Sequence, residues 1–465
     1  MTTNSVNTTT GLVVAGLAGG SGKSIVAVGM IAAFVRQGLT VVPFKKGPDY
    51  IDAGWLHLAA GQPCYNLDPY LMQSAMIEHS FRQHAAAADL VVVEGNRGLY
   101  DGVDAAGAYS TAELAVSLGL PVLLVVDCTK STRTVAALVL GCREMDRRVR
   151  LGGVVLNRLG SRRQESVIRQ AVEQYTGILV LGAVQRQATD AFPQRHLGVT
   201  PHQEHEGARA AVDFLADLSE ASLDLPAIRA LMAPVQHGRL AATVPVSPAG
   251  ARVRIGVLQD AAFQFYYPDN LEALAQEGAD LVLINALTAP ELPDLDGLYI
   301  GGGFPETSAA QLSANRGFLN SLRRAVAVGL PVYAECGGLI YLGESITLDG
   351  ETFSLAGIFP ARFGLEQRPQ AHGYTNLQVT AANPFYPEGL TVKGHEFRYS
   401  RVLEWRGSES DLALRVERGV GFWAGRDGLR HNNVLALYTH VHALGTPEWA
   451  PGLATAARGF SRRGA

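Results

Sequence analysis

Charge is scarce in this chain and nearly cancels. Asp, Glu, Lys and Arg together make up 18% of the residues, and the formal net charge is −4. A nucleic-acid footprint needs a basic patch and a high isoelectric point, so that partner class is excluded from the reading. No run of like charges marks an acidic or basic tail. Cysteine is sparse too: Cys64, Cys128, Cys142 and Cys336 form no CxxC pair. That spacing supplies no disulfide framework, and reduced thiols in a cytoplasmic protein are expected. The opening MTTNSVNTTT has neither a charged start nor an apolar stretch, so no signal peptide is read there. No uninterrupted apolar run reaches the roughly 18 residues of a membrane span, and no membrane partner is expected.

Glycine, by contrast, is abundant at 51 residues, and 47% of the 465 residues are apolar. The length predicts two or three domains, each able to bury a core. Short Val/Ile/Leu runs recur at 11–16, 41–44, 90–93, 122–126, 154–156 and 179–184, with helical patterns between most of them. Continuous apolar strands alternating with helices predict a parallel sheet covered on both faces. The expected fold class is therefore α/β, with a doubly wound P-loop domain at 11–225 after a disordered tail at 1–10. Prolines and weak periodicity predict a linker at 226–252. A second α/β domain is expected at 253–455, opening on the strand VRIGVL and richer in strands after 353, with a tail at 456–465.

The first chemical motif is AGLAGGSGKS, residues 15–24, between a strand and a helix. Small residues let backbone N–H groups curl around phosphate oxygens, and the helix N-terminus adds its positive dipole end. Gly19, Gly20, Ser21 and Gly22 would form that cradle. Lys23 would reach the β/γ phosphates, and the Ser24 hydroxyl would bind Mg2+. The strict pattern GxxxxGK[ST] fails, because Leu17 stands where its first glycine belongs. The motif PFKKGPDYID, at 43–52, follows the second strand and so falls at the carboxyl edge of the sheet. Asp49, Tyr50 and Asp52 are candidates there for substrate positioning, and Asp49 also for the metal. Gly-Pro-Asp is equally turn chemistry. The strand VVVE then ends in Glu94, a candidate metal carboxylate, and its glycine loop carries Asp101 on the substrate side. Asn157, closing GGVVLN, is a candidate for the nucleotide base.

The second motif is PVYAECGGLIYL, at 331–342. Cys336 follows an apolar strand and precedes two glycines, which is a nucleophile-elbow pattern. A thiol at a helix N-terminus is favoured as thiolate. The Gly337 N–H would face a developing oxyanion, with a second donor from the glycines at 301–303, Gly303 in particular. The ending YTHVH brings His440 as the base partner of the thiol. His440 and His442 alternate along a strand, so only one of them reaches Cys336.

With YNLDPYLM, VEGNRGLYDG, RHLGVTP, GGGFPE and GHEFRYSR, these motifs resemble the cobyrinic acid a,c-diamide synthase family over nearly the whole chain. The N-terminal half is similar to dethiobiotin synthetase and the C-terminal half to class I glutamine amidotransferase domains. The resemblance implies a glutamine-hydrolysing carbon–nitrogen ligase. Cys336, activated by His440, would take ammonia from L-glutamine through a thioester. ATP and Mg2+ would convert the a and c acetate carboxylates of a tetrapyrrole to acyl phosphates. Lys23, Ser24, Asp49, Asp52, Glu94 and Asp101 fall on the family's ATP, metal and carboxylate motifs. Family habit implies a homodimer. Ordinary class I glutaminases carry Glu two residues after the histidine, whereas His442 stands there here, so a dyad is expected. Asn96, Arg97 and the ending HALGTPEW tilt the expected acceptor slightly towards sirohaem over cobyrinic or hydrogenobyrinic acid. GHEFRYSR and AHGYTNL are candidates for shaping the tetrapyrrole pocket. The competing expectation is a deviant P-loop ATPase acting as a switch or assembly factor, which would need no elbow cysteine.

Overall fold

The computed structural model describes residues 9–187, 194–195, 198–205, 207–236 and 252–464. Its contacts divide the chain into two compact units, Met1–Ala242 and Thr243–Ala465.

The first unit is built on seven parallel strands: β1 (Thr10–Gly16), β2 (Val41–Lys46), β3 (Tyr65–Leu67), β4 (Leu90–Glu94), β5 (Val122–Asp127), β6 (Leu151–Leu159) and β7 (Val180–Gln185). Their order across the sheet is β3-β2-β4-β1-β5-β6-β7. Strands fully apolar over their length can only be buried on both faces, and Leu12, Val13, Val92, Val93, Leu124 and Val125 are all buried. Helix α1 (Lys23–Arg36) lays Val26, Ala27, Met30, Ile31 and Phe34 into the same core cluster as Leu12, Val14 and Val92. The order reverses at β1, which lies between β4 and β5, and the carboxyl edge of such a sheet is where ligands bind.

Two boundary expectations need correction. Thr9 and Thr10 belong to the folded unit: Thr9 is buried and its hydroxyl lies within hydrogen-bonding distance of the Ala85 and Ala88 carbonyls, while Thr10 starts β1. The linker begins later than 226. A helix at Leu225–Leu231, capped by the Asp224 carboxylate, buries Ile228, and Ala233–Pro234 pairs with β1. The remainder of the expected linker, 237–251, lies outside the described residues, as do residues 1–8 of the expected tail.

The second unit holds a ten-stranded sheet. Its parallel half comprises β8 (Val253–Leu258), β9 (Ala279–Ile284), β10 (Gly297–Ile300) and β11 (Val332–Glu335). The other strands are β12 (Ala371–Val379), β13 (Thr391–Arg398), β14 (Leu412–Arg418), β15 (Arg426–His431), β16 (Val434–Leu437) and β17 (His440–Val441). The order is β9-β8-β10-β11-β16-β15-β14-β12-β13-β17, parallel as far as β16 and antiparallel beyond it. Only Tyr438 and Thr439 separate β16 from β17, yet β17 sits at the far edge paired with β13. The antiparallel half therefore curls back on itself and returns His440 towards the end of β11. Of the segment expected as a tail at 456–465, residues 456–464 are helical instead. Helix α2 (Trp449–Gly464) buries Trp449, Leu453, Ala454 and Ala457 against β8 and β10. Its buried positions recur at helical spacing, a signal hidden by the turn-type pair Pro451 and Gly452 between them.

Candidate functional site

The first candidate site gathers at the tips of β1, β2 and β4. The loop after β1 ends in Gly22, whose φ of 91° starts α1. A Cβ there would lie 2.0 Å from Asn157 Nδ2, so glycine is required on both counts. Gly19 and Gly20 form the exposed crest, and the Ser21 hydroxyl donates to the Ala18 carbonyl at 2.9 Å. Lys23 Nζ donates to the same carbonyl at 3.1 Å and is buried. Burial, then Lys45, pushes the Lys23 ammonium below its usual range. Asn157, the candidate for the nucleotide base, lies at the phosphate loop. Its Nδ2 donates to Ser21 O at 2.9 Å and its Oδ1 accepts the Arg158 N–H, so it braces the phosphate loop.

Below the loop lies a buried charge cluster. Ser24 Oγ donates to Glu94 Oε1 at 2.7 Å. Lys45 Nζ sits 2.6 Å from Asp52 Oδ2 and 3.1 Å from Glu94 Oε1. Burial alone would strip the Lys45 proton, but Asp52 and Glu94 outweigh it and hold the ammonium charged. Asp49 Oδ1 accepts the Asp52 N–H at 2.7 Å, and burial together with Asp52 pushes its carboxyl up to about 7. Tyr50, half-buried, leads into the helix Ile51–Ala60. Asp101 closes its own turn by accepting the Gly98 N–H at 2.8 Å and adds a weaker attraction on Lys23. Lys45 is the residue the sequence reading passed over. Its signal was two lysines ending the otherwise apolar strand VVPFKK.

The residues here fit Mg2+ in part. Glu94 Oε2 is buried without a hydrogen-bond partner, beside the Ser24 hydroxyl, which suits a hard cation. Among the described residues no cluster of three His, Cys, Asp or Glu side chains forms a cage. Such an ion would therefore complete its shell with phosphate oxygens and water.

The second candidate site is buried inside the second unit. Cys336 directly follows β11 with φ 46° and ψ −99°, a strained conformation for any non-glycine residue, and the helix Gly337–Leu342 starts at once. Its N–H donates to Leu437 O at 2.7 Å, which fixes the elbow to β16. Residues 301–303 pack against it: a Cβ on Gly337 would lie 3.1 Å from Gly303 N, and one on Gly302 would lie 2.2 Å from His440 Cε1. His440 hydrogen-bonds Cys336, and its Nδ1 lies 3.6 Å from Glu335 Oε2. Burial pushes this imidazole down, but the Cys336 and Glu335 charges prevail and hold its pKa at about 10. His395 stacks on His440 with ring centroids 4.9 Å apart. Burial, then His440, keeps His395 well below the usual histidine range and uncharged. His442 turns away: its Nε2 lies 3.5 Å from Asp269 Oδ2 and its Nδ1 accepts the Leu444 N–H.

Within GHEFRYSR, one of the two candidate segments for shaping a tetrapyrrole pocket, His395 packs against this cysteine site. Arg398 donates to Ser400 O and Gly421 O and covers the Tyr438 ring at 3.8 Å, while Thr439 donates to Thr375 at 3.1 Å. Glu335 and His395 went unassigned in the sequence. The first was legible as a carboxylate inside the apolar run PVYAEC. A thiol, an imidazole and a fixed carboxylate beside convergent backbone amides can perform acyl transfer.

Two family profiles match the two units. Residues 12–199 match the CobQ/CobB/MinD/ParA nucleotide binding domain, and residues 254–448 match the CobB/CobQ-like glutamine amidotransferase domain. The chain is 43% identical over 441 residues to a cobyrinate a,c-diamide synthase of Magnetococcus marinus, covering 93% of this chain and 94% of that one. The chain belongs to the cobyrinate a,c-diamide synthase family. Synthases of that name from Archaeoglobus fulgidus and Methanothermobacter thermautotrophicus are 39% and 37% identical, covering 93% and 94% of this chain and 94% and 97% of theirs. As a member of this family the chain is a glutamine-hydrolysing carbon–nitrogen ligase with a nucleotide-binding half, and the switch-ATPase alternative is set aside. No helix among the described residues is long and apolar enough to cross a membrane.

Proposed function

We propose that the enzyme amidates the a and c acetate carboxylates of a uroporphyrinogen-derived tetrapyrrole, using ammonia from glutamine and energy from ATP, in the cytoplasm. The single observation that carries the glutaminase half is the convergence of Cys336, His440 and the glycines at 302–303 in one buried site. In that half, Cys336 Sγ attacks the side-chain amide carbon of glutamine. The Gly337 and Gly303 N–H groups receive the oxyanion, and the C–N bond breaks as His440 gives its proton to the leaving nitrogen. Water then hydrolyses the thioester to glutamate.

In the ligase half, Gly19 to Gly22, Lys23 and the dipole of α1 suit a triphosphate. Ser24, Glu94 and Asp49 would hold Mg2+, which screens phosphate charge when bound. Tyr50, Asp52 and Asp101 would position the acceptor carboxylate. An acyl phosphate is the activated form: ammonia attacks its carbonyl carbon and the C–O bond to phosphate breaks, whereas a free carboxylate does not react with ammonia.

The relatives' names make cobyrinate the first acceptor to test. Asn96, Arg97 and HALGTPEW favour sirohaem as the second. The test is a screen of the purified protein with ATP, Mg2+ and glutamine. Cobyrinic acid, hydrogenobyrinic acid, sirohaem, sirohydrochlorin and its nickel form are offered in turn, and mass spectrometry counts the amides gained. Two amides on one acceptor support the proposal and name the acceptor; no amide on any overturns it. Sedimentation of the same sample tests the homodimer that family resemblance implies.

A further inference from the structure

We propose that Glu335 is the carboxylate that positions His440 in the glutaminase site, filling the part that the residue two after the histidine plays in ordinary class I glutaminases. The proposal rests on the glutaminase reading above. The place two after His440 holds His442, whose two ring nitrogens are directed at Asp269 and the Leu444 N–H. It has nothing to offer His440. Glu335, immediately before the nucleophile, is fully buried and held from several sides. Its Oε1 accepts the Val441 N–H at 3.2 Å, and its Oε2 accepts the Tyr299 hydroxyl at 3.4 Å and faces His440 Nδ1 at 3.6 Å. One side chain therefore holds the backbone directly after His440 and faces its ring within ion-pair distance.

Burial pushes the Glu335 carboxyl above its usual range and His440 is the first group to oppose that shift, so the carboxylate form needs a counter-charge beside it. A phenol and one amide N–H are neutral, so the compensating charge must come from the groups around it. The titratable groups facing the pair are Cys336, His395, Tyr299, Tyr266, Tyr333 and Tyr386, together with His440 itself. His395 is kept neutral and the tyrosines keep their protons, so His440 is the one side chain of this set that can carry the positive charge. Glu335 neither gives nor takes a proton. It fixes the ring and stabilises the imidazolium that faces the Cys336 thiolate and later protonates the departing ammonia.

The test uses the full-length enzyme and follows glutamate release from glutamine in the presence of ATP, Mg2+ and acceptor across pH. Cys336→Ser is the control. If it retains glutamate release, the glutaminase reading fails, independently of Glu335. In Glu335→Gln, which keeps the shape and an acceptor for Val441, kcat is expected to fall about 10²-fold. KM for glutamine should stay within about threefold, since the binding groups are untouched. The alkaline limb of the kcat profile should move to lower pH, because the imidazolium has lost its partner. A merely structural carboxylate would lower the melting temperature without moving that limb. A variant with wild-type kcat and an unmoved limb overturns the proposal. Should Glu335→Gln fail to fold, the wild-type enzyme labelled with 15N-histidine decides the matter, with His440 assigned by its loss in His440→Asn. A His440 Nδ1 proton that persists up to the alkaline limb supports the proposal; a neutral ring lacking it at neutral pH overturns it.

Discussion

Lys45 shows how much one side chain can hold together. It neutralises Asp52 and Glu94 at once, in a place where water cannot. Lys45→Met leaves two carboxylates uncompensated, and removing one partner of a buried ion pair typically costs 3–5 kcal/mol. We expect the first unit to lose about that much by urea unfolding, and amidation to fail whether glutamine or ammonium is supplied. Lys23→Ala should abolish amidation with both nitrogen sources while leaving stability nearly unchanged. Equal amidation by wild type and Lys23→Ala in the mass-spectrometric assay would contradict the phosphate-loop assignment. His202 gives a pH prediction. Burial, then His57, lowers its pKa to about 4 from 6.5. A histidine depressed in the folded state is protonated first in the unfolded chain, so stability should fall as pH drops from about 6.5 towards 4. The loss should approach about 2 kcal/mol after allowing for its partial exposure. Urea titrations at several pH values should show that slope flattened in His202→Gln.

Among the elements, the elbow after β11 and the glycine loop after β10 set the geometry of the cysteine site. Gly302 allows His440 to approach within van der Waals contact of the backbone, and a methyl group there would sit 2.2 Å from the ring. Gly302→Ala should therefore displace the imidazole and suppress glutamine-driven amidation by at least 10²-fold. Ammonium-driven amidation should persist, which separates a local effect from unfolding. The sequence revealed most of these elements, because fully apolar strands and glycine-punctuated turns leave strong local signatures. It concealed whatever depends on long-range pairing. Glu335 meets His440 only because β17 returns along the far edge of the sheet, and Asn157 meets Ser21 only because β6 and the phosphate loop end at the same level. The helical end of the chain was missed for another reason: Pro451, Gly452 and Gly459 read as turn residues, and Arg458, Arg462 and Arg463 interrupt the apolar pattern.

For the molecule as a whole, each half carries its own core and its own chemistry. ATP with Mg2+ should raise the melting transition of the first unit by mass action and leave that of the second in place. Alkylation of Cys336 by a glutamine analogue should act on the second alone. Calorimetry with each ligand in turn would show this, and a common shift would contradict it. The two-unit plan also matters during synthesis. Domains generally fold in order as the chain is made, N-terminal first. The phosphate loop and its carboxylates all lie in the unit completed first. Cys336 emerges midway through the second unit, and His440 and the buried helix Trp449–Gly464 follow it. A nascent or truncated chain thus displays the thiol without its partner histidine. A chain truncated before His440 should therefore release no glutamate from glutamine, and a glutaminase assay on such a truncation checks this.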